Sequence, residues 1–152
     1  MTKILATPYE RGSADQIVSR KYAEKVLEGL AVYEDNNGVK LLSSGHNPTG
    51  IAGRQGLAAG DVVASGRKIY VQCAEDAAPQ AFAPVYVVPT TGLFTGKADQ
   101  NNLKINATFA KDVAVVKCMA SDGNLYNACC IDMPAPMGVL EVVAAPGVID
   151  DN

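Results

Sequence analysis

The side chains that most often perform catalysis or bind metals are few in this sequence and widely spaced. His46 is the only histidine, so a serine or cysteine nucleophile activated by an imidazole would have to use it. It lies among serine, glycine, asparagine and proline residues, which is the composition of a loop. The spacing of Ser44 and Cys118 relative to His46 does not indicate a catalytic pair. We therefore interpret His46 as a solvent-exposed loop residue.

The four cysteines are also not spaced for chemistry. They are Cys73, Cys118, Cys129 and Cys130. None forms a Cys-x-x-Cys motif, and the two adjacent cysteines would point to opposite faces of a strand. We predict reduced, mostly buried side chains rather than a disulfide or a zinc site. The sequence indicates no metal and no cofactor.

Two further segments resemble ligand loops only in part. Glu34–Gly38 begins like a calcium loop, but the later acidic ligands are missing, and we predict a hairpin turn there. Gly53–Gly60 is rich in glycine, yet it matches neither a dinucleotide fingerprint nor a phosphate-binding loop. The carboxylates fall mostly in predicted turns, without a recognisable acid–base pair. These observations favour a binding or structural module over an enzyme.

Composition predicts one soluble folded domain. The chain has 152 residues, of which 48% are apolar and 19% charged. A net charge of −3 argues against nucleic acid or an anionic membrane as partner. No apolar run approaches the roughly 20 residues of a membrane span. Pro8, Glu10 and Arg11 interrupt the start of the chain, so we expect no signal peptide and a non-secreted protein.

The arrangement of apolar runs predicts an all-β fold, either a jelly roll or a small β-barrel. Short runs rich in valine alternate with glycine and proline along the whole chain. The candidate strands are Leu30–Glu34, Val39–Leu42, Thr49–Ala52, Asp61–Ala64, Lys68–Cys73, Val85–Val88, Leu103–Phe109, Val113–Cys118, Asn124–Asp132 and Val139–Ala144. Asn36–Gly38, Ser65-Gly66 and Asp122-Gly123 each read as a hairpin turn between two of them.

We divide the chain into three parts. Residues 1–28 are rich in charge, and their apolar residues permit either a short amphipathic helix or an extended N-terminal arm. The sequence does not decide between these two alternatives. Residues 29–145 form the β-domain, and residues 146–152 form an acidic C-terminal tail.

A series of short segments along the chain occurs in an informative order. They are Ser19–Arg20 through Gly29–Val32, then Pro48–Gly53, Ala59–Val63, Lys68–Val71, Ala83–Val87 and Thr91–Thr95. In this order, over roughly residues 17–145, they resemble the structural cement proteins of tailed bacteriophages, which form the capsid decoration family.

This resemblance implies a β-barrel or jelly-roll body with an extended N-terminal arm on the outside of an icosahedral head. There it would bridge neighbouring subunits of the major capsid protein and stabilise the shell, without catalysis. We accordingly expect the protein on the outer capsid surface of the virion, and in the bacterial host cytoplasm during assembly. We also expect self-association on the capsid as a dimer or trimer.

The candidate capsid contacts are inferred from their position in the N-terminal segment. An extended arm of 20 residues would reach roughly 65 Å, enough to cross from one subunit to the next. Its apolar residues would anchor it, and its arginines would pair with acidic groups. The candidates are Pro8, Tyr9, Arg11, Ile17, Val18, Arg20, Tyr22, Val26 and Leu27.

Two other functions stay open at this stage. One is a soluble β-barrel that binds a ligand or a carbohydrate through tyrosines on one face. The other is a small cytosolic hydrolase that uses His46.

Overall fold

The computed structural model of the chain describes residues 3–7 and 16–144, and these form an all-β fold. The strands are β1 (Lys3–Ile4), β2 (Gln16–Lys21), β3 (Ala31–Asp35), β4 (Gly38–Leu41), β5 (Gly50–Gln55), β6 (Ala59–Gln72), β7 (Pro84–Val87), β8 (Phe94–Thr95), β9 (Leu103–Phe109), β10 (Val116–Met119), β11 (Leu125–Met133) and β12 (Val139–Val142). The predicted fold class is confirmed: the sheet is open and mainly antiparallel, compatible with a jelly roll or a small barrel.

β6 is the central strand of the molecule. The main strand order is β4-β3-β5-β6-β11-β9-β7-β8. The first half of β6 pairs with β5 on one side and β2 on the other, and its second half pairs with β11. Two single parallel bridges connect the ends of this strand order to its middle. Val39 of β4 is bridged to Tyr22, the residue after β2, and Phe94 of β8 is bridged to Cys73, the residue after β6.

Neighbouring residues in three strands point into two different cores. Ala31, Ile51 and Val63 belong to a large core that also contains Phe94 and Phe109. Val32, Ala52 and Val62, each adjacent in the chain to one of these three residues, point to the opposite face and form a small core together with Val26 and Val39. Because both faces of β3 and β5 are covered, these strands begin with continuous apolar runs instead of alternating with polar residues.

A third apolar cluster holds residues 3–7 on the sheet. Leu5 is 2% exposed and packs with Cys118, Ala120 and Ala128; we call this group the N-terminal cluster. β1 pairs in parallel with β10, and the N–H of Ala6 donates to the carbonyl of Tyr70 at 2.8 Å. Residues 3–7 therefore pack on the β-domain.

All ten candidate strands overlap observed ones, but one predicted turn is wrong. The turns at Asn36–Gly38 and Asp122-Gly123 join β3 to β4 and β10 to β11, as predicted. Ser65-Gly66 forms no hairpin, because the two candidate strands beside it are one strand, β6, whose halves pair with different neighbours. The ladder to β11 is irregular there, where Met133 is the partner of Gly66. β1, β2 and β8 had no candidate.

The short helix considered for the N-terminal segment is not formed in residues 16–30. Gln16–Lys21 is β2, paired with β6, and residues 22–30 follow as loop with turns. The physical reason is the second apolar face of β3, β5 and β6, which Val18, Tyr22 and Val26 cover.

Within residues 3–7 and 16–144, no helix is long and apolar enough to cross a membrane. The predicted acidic tail lies outside the described residues.

Candidate interaction surface

The structure distributes the predicted capsid contacts between the surface and the interior. Pro8, Tyr9 and Arg11 lie outside the described residues. Ile17 on β2 is 42% exposed. Arg20 is also exposed, and its Nε lies 3.5 Å from a carboxylate oxygen of Glu34. These two side chains are accessible to a partner.

The other four candidates serve the packing of this chain. Val26 is 3% exposed and belongs to the small core, against which Val18 and Tyr22 pack, while Leu27 packs against the N-terminal cluster. The hydroxyl of Tyr22 donates to the carbonyl oxygen of Asp61 at 2.6 Å, and burial raises the pKa of Tyr22 to about 12. Val26 is thus a core residue instead of an anchor for a partner.

A row of exposed apolar side chains crosses β1, β10 and β11. Ile4 lies beside Met119 in the parallel ladder, and Met119 lies opposite Leu125 in the antiparallel one. Directly paired residues place their side chains next to each other on one face. Ile4, Met119 and Leu125 are 52%, 41% and 51% exposed. We call these three residues the apolar row.

The apolar row faces outward because its chain neighbours face inward. Leu5 follows Ile4, and Cys118 precedes Met119. Both point into the N-terminal cluster, and successive side chains of a strand point to opposite faces. Ile17 extends the surface, since it lines a cleft of about 100 Å³ together with Ile4. Sequence reasoning missed the row, because its members become neighbours only through the pairing of β1 with β10.

The cysteines are buried and free, as predicted. Cys73 and Cys129 lie in the large core, and a hydrogen bond between the two thiols lowers the pKa of Cys73 and raises that of Cys129. Burial raises the pKa of Cys118 to about 11 and that of Cys130 to about 12. Both of these thiols are therefore protonated at neutral pH, which disfavours nucleophilic chemistry.

His46 lies exposed in its loop, as predicted, and stacks on Tyr33. The two ring centroids are 4.0 Å apart and the planes differ by 11°. The structure does not bring His46 to Cys118, which lies in the N-terminal cluster. Among residues 3–7 and 16–144, no three His, Cys, Asp or Glu side chains are grouped so that they would hold a metal ion.

Two features bear on small-ligand binding. A cavity of about 260 Å³ is lined by Ile105, Pro134 and Leu140 together with polar residues that include Lys104 and Asp132. This volume is below the roughly 300 Å³ at which typical ligand pockets begin, although two surface clefts, of about 310 and about 430 Å³, are larger. Of the tyrosines in the described segments, Tyr33 is buried and the others are half-buried, so they do not present a platform of exposed rings.

Comparison with protein-family models, with curated protein sequences and with solved structures finds no significant match to this chain.

Proposed function

We propose that this chain is a capsid decoration protein, which binds the outer surface of a phage head and bridges neighbouring major capsid protein subunits. The observation that carries the proposal is the apolar row of Ile4, Met119 and Leu125, together with the nearby Ile17. Contiguous apolar side chains that remain half-exposed are typical of surfaces that dock on another protein.

The energetics suit a repeated, modest interface. Complete burial of one such side chain contributes about 1.5–3 kcal/mol, and each member of the row is already half-covered by its own chain. One contact of this size gives weak binding. A shell repeats the contact many times, and a protein that holds two subunits at once, or that self-associates as a dimer or trimer, gains avidity.

A charged side chain, Arg20, has the second role in the proposed interface. Arg20 is exposed and pairs with Glu34 at the surface, so an acidic capsid group would compete for the same guanidinium. Exposed ion pairs add little affinity, but they orient the two partners and raise the association rate. We therefore assign Arg20 to orientation and the apolar row to affinity.

Sedimentation with undecorated heads tests the proposal. Heads of the phage that encodes this chain, assembled without it, are mixed with purified protein and pelleted. We expect saturable binding by the natural chain and a loss of at least about tenfold in affinity for a double variant, Met119→Ser with Leu125→Ser.

Leu140→Ser is the matched control, because Leu140 is a similarly exposed leucine on β12, which pairs with β9 and not with the strands of the row. It should bind as the natural chain does. If the natural chain does not sediment with heads, or if the double variant binds as tightly, the proposal is wrong. Specific binding on a glycan array without binding to heads would favour the carbohydrate-binding alternative.

A further inference from the structure

One acidic side chain of this protein is buried without a charged partner. Glu28 is 5% exposed. Its carboxylate accepts one long hydrogen bond, from the backbone N–H of Ser121 at 3.4 Å, and within residues 3–7 and 16–144 it forms no ion pair. An ionised carboxylate can accept about four hydrogen bonds, and its burial without donors or a cation costs free energy. Most of the hydrogen-bonding capacity of Glu28 is therefore unused.

Glu28 lines a surface cleft of about 210 Å³, which we call the Glu28 cleft. Its described walls come from residues 25–28, from Gln55 and from the turn between β10 and β11, where Ser121 and Asp122 lie. The hydrogen bond to Ser121 places one carboxylate oxygen of Glu28 next to this turn. The unused oxygens of Glu28 are therefore beside a space that a ligand can enter.

A second carboxylate lies at the same cleft. Asp122 is exposed, and its carboxylate accepts hydrogen bonds from the Tyr126 hydroxyl and from the N–H of Asn124, which together hold the pKa of that carboxyl below its usual range. Both donors are neutral. Asp122 is therefore ionised at neutral pH, and its negative charge is not neutralised by them.

One cation lines the cleft as well. Lys25 is exposed, and it forms no ion pair with Glu28, with Asp122 or with another residue of the described segments. The described lining thus contains two carboxylates and one ammonium group. The excess of one negative charge is small, but one of the carboxylates is removed from water. A charge in such a place attracts a counter-ion more strongly than an exposed charge does.

The neutral amide in the lining does not serve Glu28 either. The amide oxygen of Gln55 accepts a hydrogen bond from the N–H of Val26 at 2.8 Å, and its nitrogen donates to the carbonyls of Val26 and Gly53. Gln55 is therefore occupied by the backbone. A buried acceptor that its own fold leaves unsatisfied indicates a ligand that supplies the missing donors.

An organic cation suits the cleft better than a metal ion does. Among the described residues, no three His, Cys, Asp or Glu side chains are grouped so that they would hold a metal. Val26 and Leu27, which adjoin Glu28 in the chain, give the cleft an apolar side. Lysine and arginine combine an alkyl stem with a cationic end that donates several hydrogen bonds. Such a side chain matches both the apolar side and the carboxylate.

The cleft adjoins the surface to which the proposed interface belongs. The turn that forms one of its walls joins Met119 to Leu125, two members of the apolar row. Glu28 also lines the smaller cleft that contains Ile4 and Ile17. A protein that covers the apolar row therefore lies within side-chain reach of Glu28.

We propose that the Glu28 cleft receives a lysine or arginine side chain of the protein that docks on the apolar row, with the cationic group at Glu28 and the alkyl stem along Leu27. The identity of that partner rests on the proposed capsid interface. The affinity of the cleft for the cation does not, and it can be measured without heads.

Nuclear magnetic resonance titration of the full chain tests the cleft directly. The probes are n-butylammonium and n-propylguanidinium, which reproduce the lysine and arginine side chains, and n-butanol is the neutral reference. The reporter is the amide of Ser121, because it donates to Glu28. We expect a saturable shift of this amide with at least one cation and none with n-butanol. The response should weaken several-fold as NaCl rises from about 50 to about 300 mM.

Glu28→Gln removes the charge and keeps the size of the side chain. It should weaken cation binding in the titration, and binding to undecorated heads, by at least about tenfold. Its melting temperature should equal or exceed that of the natural chain, because a buried charge without a partner is removed. Glu75→Gln is the matched control: Glu75 is an exposed glutamate outside the lining of the cleft, and this variant should bind as the natural chain does.

Several results would each overturn the inference. They are an equal shift of the Ser121 amide by n-butanol, unchanged cation binding by Glu28→Gln, tighter binding of Mg²⁺ than of either organic cation, and a lower melting temperature for Glu28→Gln, which would make the carboxylate structural. If heads bind Glu28→Gln as tightly as the natural chain, the inference is wrong while the proposed function stands. If the natural chain does not sediment with heads, the proposed function fails, and the titration alone decides for the cleft.

Discussion

Glycine occupies two hairpin turns of this chain for different physical reasons. Gly38 and Gly123 have φ angles of +121° and +85°, which favour glycine in both turns. A Cβ at Gly38 would lie 2.6 Å from the carbonyl oxygen of Lys21 and 3.0 Å from the nitrogen of Ala23. A Cβ at Gly123 would have no atom within 4 Å. Gly38 therefore also makes room for the N-terminal segment.

Alanine substitution at these glycines should separate strain from collision. Gly123→Ala should lower the free energy of unfolding by about 1 kcal/mol, the cost of the left-handed conformation alone. Gly38→Ala should lower it by about 3 kcal/mol, because backbone atoms cannot move away as a flexible side chain would. Urea denaturation measures both values. Equal losses would mean that the segment after β2 does not pack against this turn.

Residue type predicted which side chains of the N-terminal segment would be covered, but it did not predict what would cover them. Apolar character in Val18, Tyr22 and Val26 was visible in the sequence, and all three are wholly or partly covered. Their partner is the second face of β3, β5 and β6 rather than another protein. Sequence does not identify that partner, because it depends on which strands lie side by side.

Strands were predictable from apolar runs between turn residues, but their continuity was not. The turn signals at Asn36–Gly38 and Asp122-Gly123 worked because the strands beside each of them pair with each other. Ser65-Gly66 has similar turn chemistry, yet β6 continues through it, since pairing with β5, β2 and β11 outweighs local preference. Two-residue strands such as β1 and β8 are too short to have a pattern.

Proline scanning at the level of strands should distinguish β6 from β12. Val63 is 1% exposed and pairs with Ile51 on one side and Ile17 on the other. Val63→Pro should abolish folding, because proline removes a donor and its ring clashes within a central strand.

Val142→Pro is the comparison on β12, which pairs only with β9 among the described residues. The N–H of Val143 donates to Asn102, so that of Val142 points away from β9. This variant should fold with a loss of about 1 kcal/mol. Far-ultraviolet circular dichroism and chemical denaturation measure the two results. A native spectrum for Val63→Pro would contradict the central position of β6.

At the scale of the whole molecule, β6 connects the two main cores. Val62 belongs to the small core, while Val63, Ile69 and Val71 belong to the large one. Unfolding of either core would expose one side of the same strand. The length of the sequence showed that the chain could form one core. The presence of two cores could not be predicted from it, because they lie on opposite faces of β3, β5 and β6, which are covered on both sides.

The shared strand predicts a single cooperative unfolding transition. Val39→Ala in the small core and Val71→Ala in the large core are matched variants, since both valines are at most 1% exposed. Each should cost about 2 kcal/mol from lost apolar burial and the cavity left behind. In calorimetry, each should move one undivided transition down by about 4–8 °C. If Val39→Ala shifts only part of the heat absorption, the small core unfolds independently of the large one, and β6 does not couple them.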